Sequence, residues 1–258
     1  MSIAQYFRLV DNMARMALRA DASRFFLGYI WWVLEPLLWV SVFYVVFVLI
    51  LAAQESEFLV FLMTGQLVFV WFSKSVQHAS GSIVGATGLI GKINVPKTLF
   101  PLATVQEGLY RQIAVFAVMV LFLLTNGCAI TATWWYLLPV IFVTYVVIVA
   151  CAFLGACLVC LARDFSNLIA LGMMFLMFTS GIFWDVRALG DPNKTERIMA
   201  INPLAFVVDC YRQIMIHDIP PDMLHLLIVG SCFGALLVVM VLLMRRGSQY
   251  LALKVISA

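Results

Sequence analysis

The sequence predicts an all-α integral membrane protein that forms a single membrane domain over residues 1–258. Hydrophobic side chains make up 64% of the 258 residues and charged side chains 11%, whereas soluble domains have about 45–50% and about 25%. The apolar residues fall in runs of about 20, the length that a helix needs to cross a hydrocarbon core of about 30 Å. Runs such as 42–53 and 140–154 are apolar on every face, unlike the alternating strands of a membrane barrel. The composition therefore excludes a soluble globular domain and favours a bundle of spanning helices.

Residues 1–24 predict an amphipathic helix at the membrane interface. Polar side chains recur at the spacing of one helix face, namely Arg8, Asn12, Arg15 and Arg19. The opposite face is apolar and contains Ile3, Phe7, Val10, Ala14, Ala17 and Leu18. Such a helix either lies on the membrane surface or packs against protein. We expect the membrane surface, because a chain of this composition has little soluble core to receive the helix.

Six apolar runs within residues 28–244 are long enough to span the membrane as helices. They are residues 28–53, 58–80, 102–125, 135–161, 166–184 and 223–244. Between the last two, the apolar stretch 198–208 is too short to cross and is interrupted by Asn202 and Pro203. Asparagine is a favoured N-cap and proline a favoured first residue of a helix. We therefore expect short extracytoplasmic re-entrant or interfacial helices between spans five and six, with Asn202 as a cap.

The distribution of lysine and arginine predicts the orientation of the six spans. One side of the predicted bundle holds ten of them, namely Arg8, Arg15, Arg19, Arg24, Lys92, Lys97, Arg163, Arg245, Arg246 and Lys254. The other side holds four, namely Arg187, Lys194, Arg197 and Arg212. Cytoplasmic loops carry the excess of positive side chains. We therefore expect both termini in the cytoplasm, with residues 245–258 as a cytoplasmic tail.

The sequence contains no recognisable catalytic or nucleotide-binding motif. Residues 86–93 approach a phosphate-binding loop but lack its first glycine and its closing serine or threonine. Cys157 and Cys160 have the CxxC spacing, yet they lie inside an apolar run without a second ligand pair. We expect neither an enzyme nor a bound metal. If ATP drives this protein, another chain binds the nucleotide.

Four charged residues fall inside the predicted spans, namely Glu35, Lys74, Glu107 and Arg111. A charge inside a membrane is costly, so such residues have charged partners or line a pathway. Counted from the inner ends of their spans, Glu35, Lys74 and Arg111 each lie about 12 Å deep and could meet in one polar layer. Two interpretations stay open. The residues form a charge-balanced packing cluster, with Glu107 and Arg111 paired at i and i+4, or they line a substrate pathway.

Aromatic residues make up 14% of the chain and lie at several depths of the predicted spans, not only at the two interfaces. Tyrosine and tryptophan combine an apolar face with a hydrogen-bonding edge. This combination suits a sugar, because sugar rings have apolar faces and hydroxylated rims. The aromatic residues that we expect along a substrate path are Trp32, Trp39, Tyr44, Tyr110 and Tyr145.

Five short segments are distinctive in combination. They are Leu-Gly-Tyr-Ile-Trp-Trp-Val-Leu-Glu-Pro-Leu at 27–37, Leu-Ile-Gly-Lys-Ile-Asn-Val-Pro-Lys at 89–97, Arg-Asp-Phe-Ser-Asn at 163–167, Ser-Gly-Ile-Phe-Trp at 180–184, and Asn-Pro-Leu at 202–204 before Tyr211 and Arg212. Together they resemble the membrane subunit of type-2 ABC exporters of polysaccharides, the family that moves O-antigen, capsule and teichoic-acid chains. The resemblance covers nearly the whole chain. It departs from the family at Gly181, where a proline usually precedes the isoleucine.

The resemblance implies a homodimer in the bacterial inner membrane, joined by two copies of a separate ATPase subunit. It implies export of a glycan that is carried on a polyprenyl diphosphate lipid, and O-antigen is the first candidate for this glycan. ATP and Mg²⁺ are then used by the partner subunit, and this chain binds neither a cofactor nor nucleic acid. It also implies that the loop around Lys92 and Lys97 is a coupling helix and that the N-terminal helix rests on the ATPase. The residues expected at this contact are Arg15, Arg19, Lys92, Ile93, Pro96 and Lys97.

Two other functions compete with polysaccharide export. A membrane-embedded enzyme acting on a lipid-linked sugar needs acidic residues at a membrane face, and the inner loops offer only Asp11, Asp21 and Asp164. An exporter of lipids or drugs from the same superfamily would share the topology but not the tyrosine and tryptophan content.

Overall fold

The computed structural model describes residues 2–24, 26, 28–46, 56–90, 92, 95–125, 127–247, 249, 250 and 254, and these residues form helices joined by short turns. The α-helices are α1 (Ile3–Arg24), α2 (Trp31–Tyr44), α3 (Ser56–Ser80), α4 (Ser82–Gly85), α5 (Thr87–Ile90), α6 (Leu99–Thr125), α7 (Leu137–Leu161), α8 (Phe165–Thr179), α9 (Pro192–Ile201), α10 (Pro203–Met215) and α11 (Met223–Arg246). Short 3-10 helices cover Gly28–Ile30, Ala132–Tyr136 and Arg187–Leu189.

Four helical segments are long and apolar enough to cross a membrane, namely Phe58–Ser80, Leu99–Thr125, Ala132–Leu161 and Met223–Arg246. Each coincides with one of the predicted spans to within a few residues, which confirms the prediction of an all-α, multi-pass membrane protein. The match is close because these segments are apolar throughout and end at charged, proline or turn residues.

The fifth predicted span is shorter in the structure, and the end of the first lies outside the described residues. The first is described only to Val46, and residues 47–53 of this prediction lie outside the described residues. Helix α8 ends at Thr179, before the predicted end at Trp184. It ends there because Gly181 adopts a φ of +68°, and a Cβ at this position would lie 2.6 Å from Cγ2 of Val186. The six-span topology therefore stays a prediction.

Helix α3 lies at the centre of the bundle and contacts α2, α6, α7, α8 and α10. Two glycines of its neighbours face serines of α3. A Cβ on Gly108 of α6 would overlap the Ser75 hydroxyl, and a Cβ on Gly155 of α7 would overlap the Ser80 hydroxyl. Small residues at such contacts let helix backbones approach closely. The contacts of α3 with α6 and with α7 are thus held at short helix separations.

Helix α1 packs along α6. Val10 forms a small cluster with Leu99 and Ala103, and the Tyr6 hydroxyl donates a hydrogen bond of 3.0 Å to Oγ1 of Thr98. The predicted polar face is exposed. On the apolar face, Val10 is buried while Ile3 remains 78% exposed. Part of the apolar face of α1 therefore packs on protein, which was the alternative to a helix on the membrane surface. Placement of α1 on a membrane surface stays a prediction.

The stretch around Asn202 folds as two short helices. Asn202 separates α9 from α10, and its side-chain oxygen accepts hydrogen bonds from the backbone N–H groups of Leu204 and Ala205 at 3.1 and 3.2 Å. Pro203 is the first residue of α10. The predicted cap is confirmed. Residues 204–215 are all buried, because α10 packs between α3 and α7.

Candidate functional site

The structure brings Glu35, Lys74 and Arg111 to one cavity between α2, α3 and α6, which we call the charged pocket. The residues that line the charged pocket include Trp32, Glu35, Trp71, Lys74, Ser75, His78, Thr104, Glu107, Arg111 and Gln112. Its volume is about 70 Å³. The three residues predicted to share a polar layer thus lie together, although their role in substrate transport stays a prediction.

Ion pairs connect the walls of the charged pocket. Lys74 on α3 pairs with Glu35 on α2. Arg111 pairs with Glu107 on its own helix, as expected for a packing cluster, and its Nη2 also lies 3.1 Å from Oδ2 of Asp21 on α1. Both cations of the pocket are therefore paired with carboxylates without a ligand, and the third carboxylate, Asp21, ties the pocket to the N-terminal helix.

Asp21 is a member of this site that the sequence analysis did not identify. Its Oδ2 also accepts a hydrogen bond of 3.1 Å from Nε1 of Trp32, whose ring centroid lies 5.5 Å from Cζ of Arg111. A signal was present in the sequence, since Asp21 and Asp11 are the acidic residues of an otherwise basic helix. Acidic residues in such a helix pair with cations of the same helix, as Asp11 does, or of a neighbouring element, as Asp21 does.

Tyr110 and Arg15 meet at Asp11 rather than in the charged pocket. The Tyr110 hydroxyl donates a hydrogen bond to Oδ1 of Asp11, and Nε of Arg15 lies 2.9 Å from its Oδ2. The hydrogen bond from Tyr110, followed by that from Arg15, lowers the pKa of the Asp11 carboxyl from its ordinary value of 3.8. Tyr110 thus fixes α1 against α6.

The other aromatic residues of the predicted path are dispersed. Trp39 is exposed and Tyr44 half-buried, both further along α2. The Tyr145 hydroxyl donates a hydrogen bond of 2.9 Å to Oε1 of Gln106, and Tyr145 lines a different cavity. One chain alone therefore does not place these side chains along a single path.

The predicted ATPase contact lies partly on the surface and partly inside. Arg15, Arg19, Lys92 and Pro96 are exposed, whereas Ile93 lies outside the described residues. Lys97 is only 5% exposed, and burial lowers the pKa of its ammonium group. Its side chain lines a cavity together with the first turns of α1, and the expected contact of Lys97 with the ATPase stays a prediction.

Arg212 is a second charged residue whose place the sequence analysis missed. It is 3% exposed and donates hydrogen bonds to the carbonyl oxygens of Gly181 and Ile182, at 2.6 and 3.0 Å, and of Phe61 at 3.3 Å. Its Cζ lies 3.4 Å from the centroid of the Phe61 ring. A side chain on Gly65 would overlap the guanidinium group. Arg212 thus ties the turn after α8 to α3 and α10.

A bundle of long apolar helices with a charged pocket between them defines a multi-pass helical membrane protein. No family model matches the chain. The chain is 26% identical over 218 residues to the O-antigen export system permease protein RfbA of Klebsiella pneumoniae, covering 84% of this chain and 83% of that relative. It is 23% identical over 220 residues to the protein of the same name from Myxococcus xanthus, covering 84% of both. These similarities confirm the resemblance to the membrane subunits of type-2 ABC exporters of polysaccharides.

Proposed function

We propose that this chain is the membrane subunit of an ATP-driven exporter that moves O-antigen, linked to a polyprenyl diphosphate, from the cytoplasm across the bacterial inner membrane. The observation that carries the proposal is the similarity to O-antigen export permeases over 84% of the chain. These relatives are named as permeases, which favours transport over an enzyme acting on a lipid-linked sugar.

We propose that the charged pocket lies at the inner end of the glycan path, beside the diphosphate of the lipid carrier. Arginine binds phosphate oxygens through its planar fork of N–H groups, and lysine binds them as a point charge. In the empty pocket, Lys74 is paired with Glu35 and Arg111 with Glu107. A diphosphate would take over these cations from the carboxylates, so Glu35 would balance the charge only while the pocket is empty.

The glycan path itself requires a second copy of the chain in this proposal. Sites for small molecules enclose about 300–1,000 Å³, whereas the charged pocket encloses about 70 Å³, which is too little for a sugar unit. Helix α2 presents Leu38, Trp39 and Val42 on its outer face, each about half exposed. A homodimer that pairs these faces would build the path between two copies and bring Trp39 and Tyr44 toward it.

The ATPase contact is proposed on the exposed cations of α1 and of the loop before α6. Arg15, Arg19 and Lys92 offer positive charge to an acidic partner surface. Cysteines at Lys92 and Pro96 should crosslink to the ATPase subunit, while a cysteine at Asn193 should not. Absence of crosslinks at both loop positions, with crosslinks at Asn193, would contradict the proposed orientation.

The central test replaces Arg111 by glutamine in cells that lack the native chain. The expected result is reduced surface polysaccharide and reduced substrate-stimulated ATPase activity, with normal accumulation of the protein in the membrane. Arg163→Gln, at an exposed position between α7 and α8, is the matched control and should export normally. Tyr44→Ala should weaken transport of the sugar chain. If Arg111→Gln fails to accumulate while Tyr44→Ala exports normally, the charged pocket is structural.

A further inference from the structure

A second cavity, about 850 Å³ in volume, lies between the first turns of α1, the start of α6, the middle of α7 and the end of α11. Most of its wall is apolar, with Phe142, Val149, Phe153, Leu237 and Val241. We call it the apolar cleft. It shares no lining residue with the charged pocket, so its occupant is a separate question from the path of the exported glycan.

Two cations lie at one end of the apolar cleft, Lys97 and Arg245. The described residues that line the cleft include neither aspartate nor glutamate. Lys97 is 5% exposed, and within the described part of the chain its ammonium group has neither a hydrogen bond nor an ion pair. The ammonium group is not enclosed by protein, because Lys97 lines the open cleft. A cation without an acidic partner attracts anions to the cleft.

The start of α6 adds to the positive character of this end. Lys97 and Thr98 directly precede Leu99, the first residue of the 27-residue helix α6. The N-terminus of a helix carries a partial positive charge, which favours phosphate. The cleft thus combines a positive end with a long apolar wall.

The apolar cleft opens toward the apolar edge of α1. Ile3 and Phe7 stand at its rim and are 78% and 59% exposed. An amphipathic helix with such a rim buries it among the headgroups and acyl chains of a bilayer. A molecule that enters from this side comes from the membrane, with its polar head at the level of α1.

We propose that the apolar cleft binds an anionic phospholipid of the surrounding bilayer, with its phosphate on Lys97 and Arg245 and an acyl chain along Val149 and Val241. Basic pockets beside membrane helices bind anionic headgroups in this way. The volume lies at the upper end of the range for small-molecule sites. It suits an acyl chain rather than the much longer chain of a polyprenyl lipid.

The test uses the full-length chain in nanodiscs of equimolar phosphatidylcholine and phosphatidylglycerol. Native mass spectrometry after release should find phosphatidylglycerol retained in preference to phosphatidylcholine. Lys97→Ala and Arg245→Ala should each reduce the retained phosphatidylglycerol about fivefold, the expected effect of one cation near an anionic lipid. Arg246→Ala is the matched control, because Arg246 is the adjacent cation at the end of α11 and does not line the cleft.

Val241→Trp tests the apolar wall independently and should also lower retention, because the larger ring fills the cleft. Arg245 is exposed, so Arg245→Ala decides the question if Lys97→Ala does not fold. Equal retention of phosphatidylglycerol by the wild type and Arg245→Ala would overturn the proposal, as would equal losses in Arg245→Ala and Arg246→Ala.

Displacement of the phospholipid by equimolar polyprenyl phosphate would assign the cleft to the carrier lipid instead. Crosslinking of two chains through Phe142→Cys would assign it to a second copy.

Discussion

The Asp21 carboxylate lies 3.1 Å from the guanidinium group of Arg111 and joins α1 to the wall of the charged pocket. The same carboxylate accepts the indole N–H of Trp32 on the helix opposite. One residue of α1 therefore contacts both α2 and α6. If α1 rests on the ATPase, a displacement of α1 is transmitted to the pocket through these two polar contacts.

Replacing Asp21 by asparagine should reduce polysaccharide export and weaken coupling between ATP hydrolysis and transport. The change removes the charge that holds Arg111 toward α1, and it should lower the free energy of unfolding by only about 1 kcal/mol, since the pair is partly exposed. Surface polysaccharide and ATPase activity measure the effect. Asp164→Asn, at an exposed position, is the control. Normal export by Asp21→Asn would show that α1 does not act through Arg111.

Arg212→Gln should destabilise the protein by about 3 kcal/mol or more. Three carbonyl oxygens lose their charged donor, and each unpaired buried group costs about 1–3 kcal/mol. Thermal unfolding of the purified chain in detergent provides the measurement. Arg197→Gln, on the exposed face of α9, should leave the unfolding temperature unchanged. A similar decrease of the unfolding temperature in both variants would indicate a general effect of removing a positive charge.

Gly65→Ala should lower the free energy of unfolding by about 1–3 kcal/mol. The new methyl group overlaps Arg212, and the hydrogen bonds of Arg212 prevent its side chain from moving away. Gly172→Ala is the matched control, since nothing lies within 4 Å of a Cβ at that helical glycine. In the Arg212→Gln background the cost of Gly65→Ala should shrink, and the difference is the coupling energy of the two sites. An unchanged cost would mean that another neighbour causes the strain.

Single cysteines near Asn193 and Lys254 should react from opposite sides of the membrane. The bias of lysine and arginine places the C-terminus inside and the segment with α9 outside. The measurement is labelling of intact cells by a membrane-impermeant maleimide after the native cysteines are replaced. Labelling of both positions from the same side would exclude the six-span topology.

The contact between α1 and α6 should persist from neutral pH down to about the ordinary carboxyl pKa of 3.8 and weaken only below it. The Asp11 carboxyl has a lowered pKa because the Tyr110 hydroxyl and Arg15 bind its charged form. A group of this kind stabilises the fold above its ordinary pKa, and the contribution is lost as the pH falls through the lowered value. Spin labels at Asn12 and Ile113 measure the separation. Asp11→Asn should weaken this pH dependence, and an identical profile would assign it to another group.

Four of the six spans and the cap at Asn202 were predictable because apolar runs and capping residues are local properties of the sequence. Helix α8 was predicted too long, since the positive φ of Gly181 interrupts an apolar run that shows no other break. The cluster of Glu35, Lys74 and Arg111 was also predictable. Their shared depth follows from counting residues along each span.

The partners of these charges were not predictable from local patterns. Asp21 and Arg111 are far apart in sequence, and nothing in either helix specifies that α1 packs on α6. Arg212 looked like an exposed outer charge because its acceptors are backbone carbonyls, which every residue carries. The burial of Lys97 depends on the position of α1 as well.

The two serine–glycine contacts along α3 restrict which parts of the protein can move. A slide of α3 by one residue, about 1.5 Å along the axis, would move the hydroxyls of Ser75 and Ser80 away from Gly108 and Gly155, which make room for them because they carry no Cβ. We therefore expect α3, α6 and α7 to keep their positions relative to one another as a fixed group. Motion during a transport cycle then falls to α1, α2 and α8, which pack on its outside. Lys74 lies on α3, in the fixed group, whereas Glu35 moves with α2. Each transport cycle would therefore break and re-form the ion pair between them.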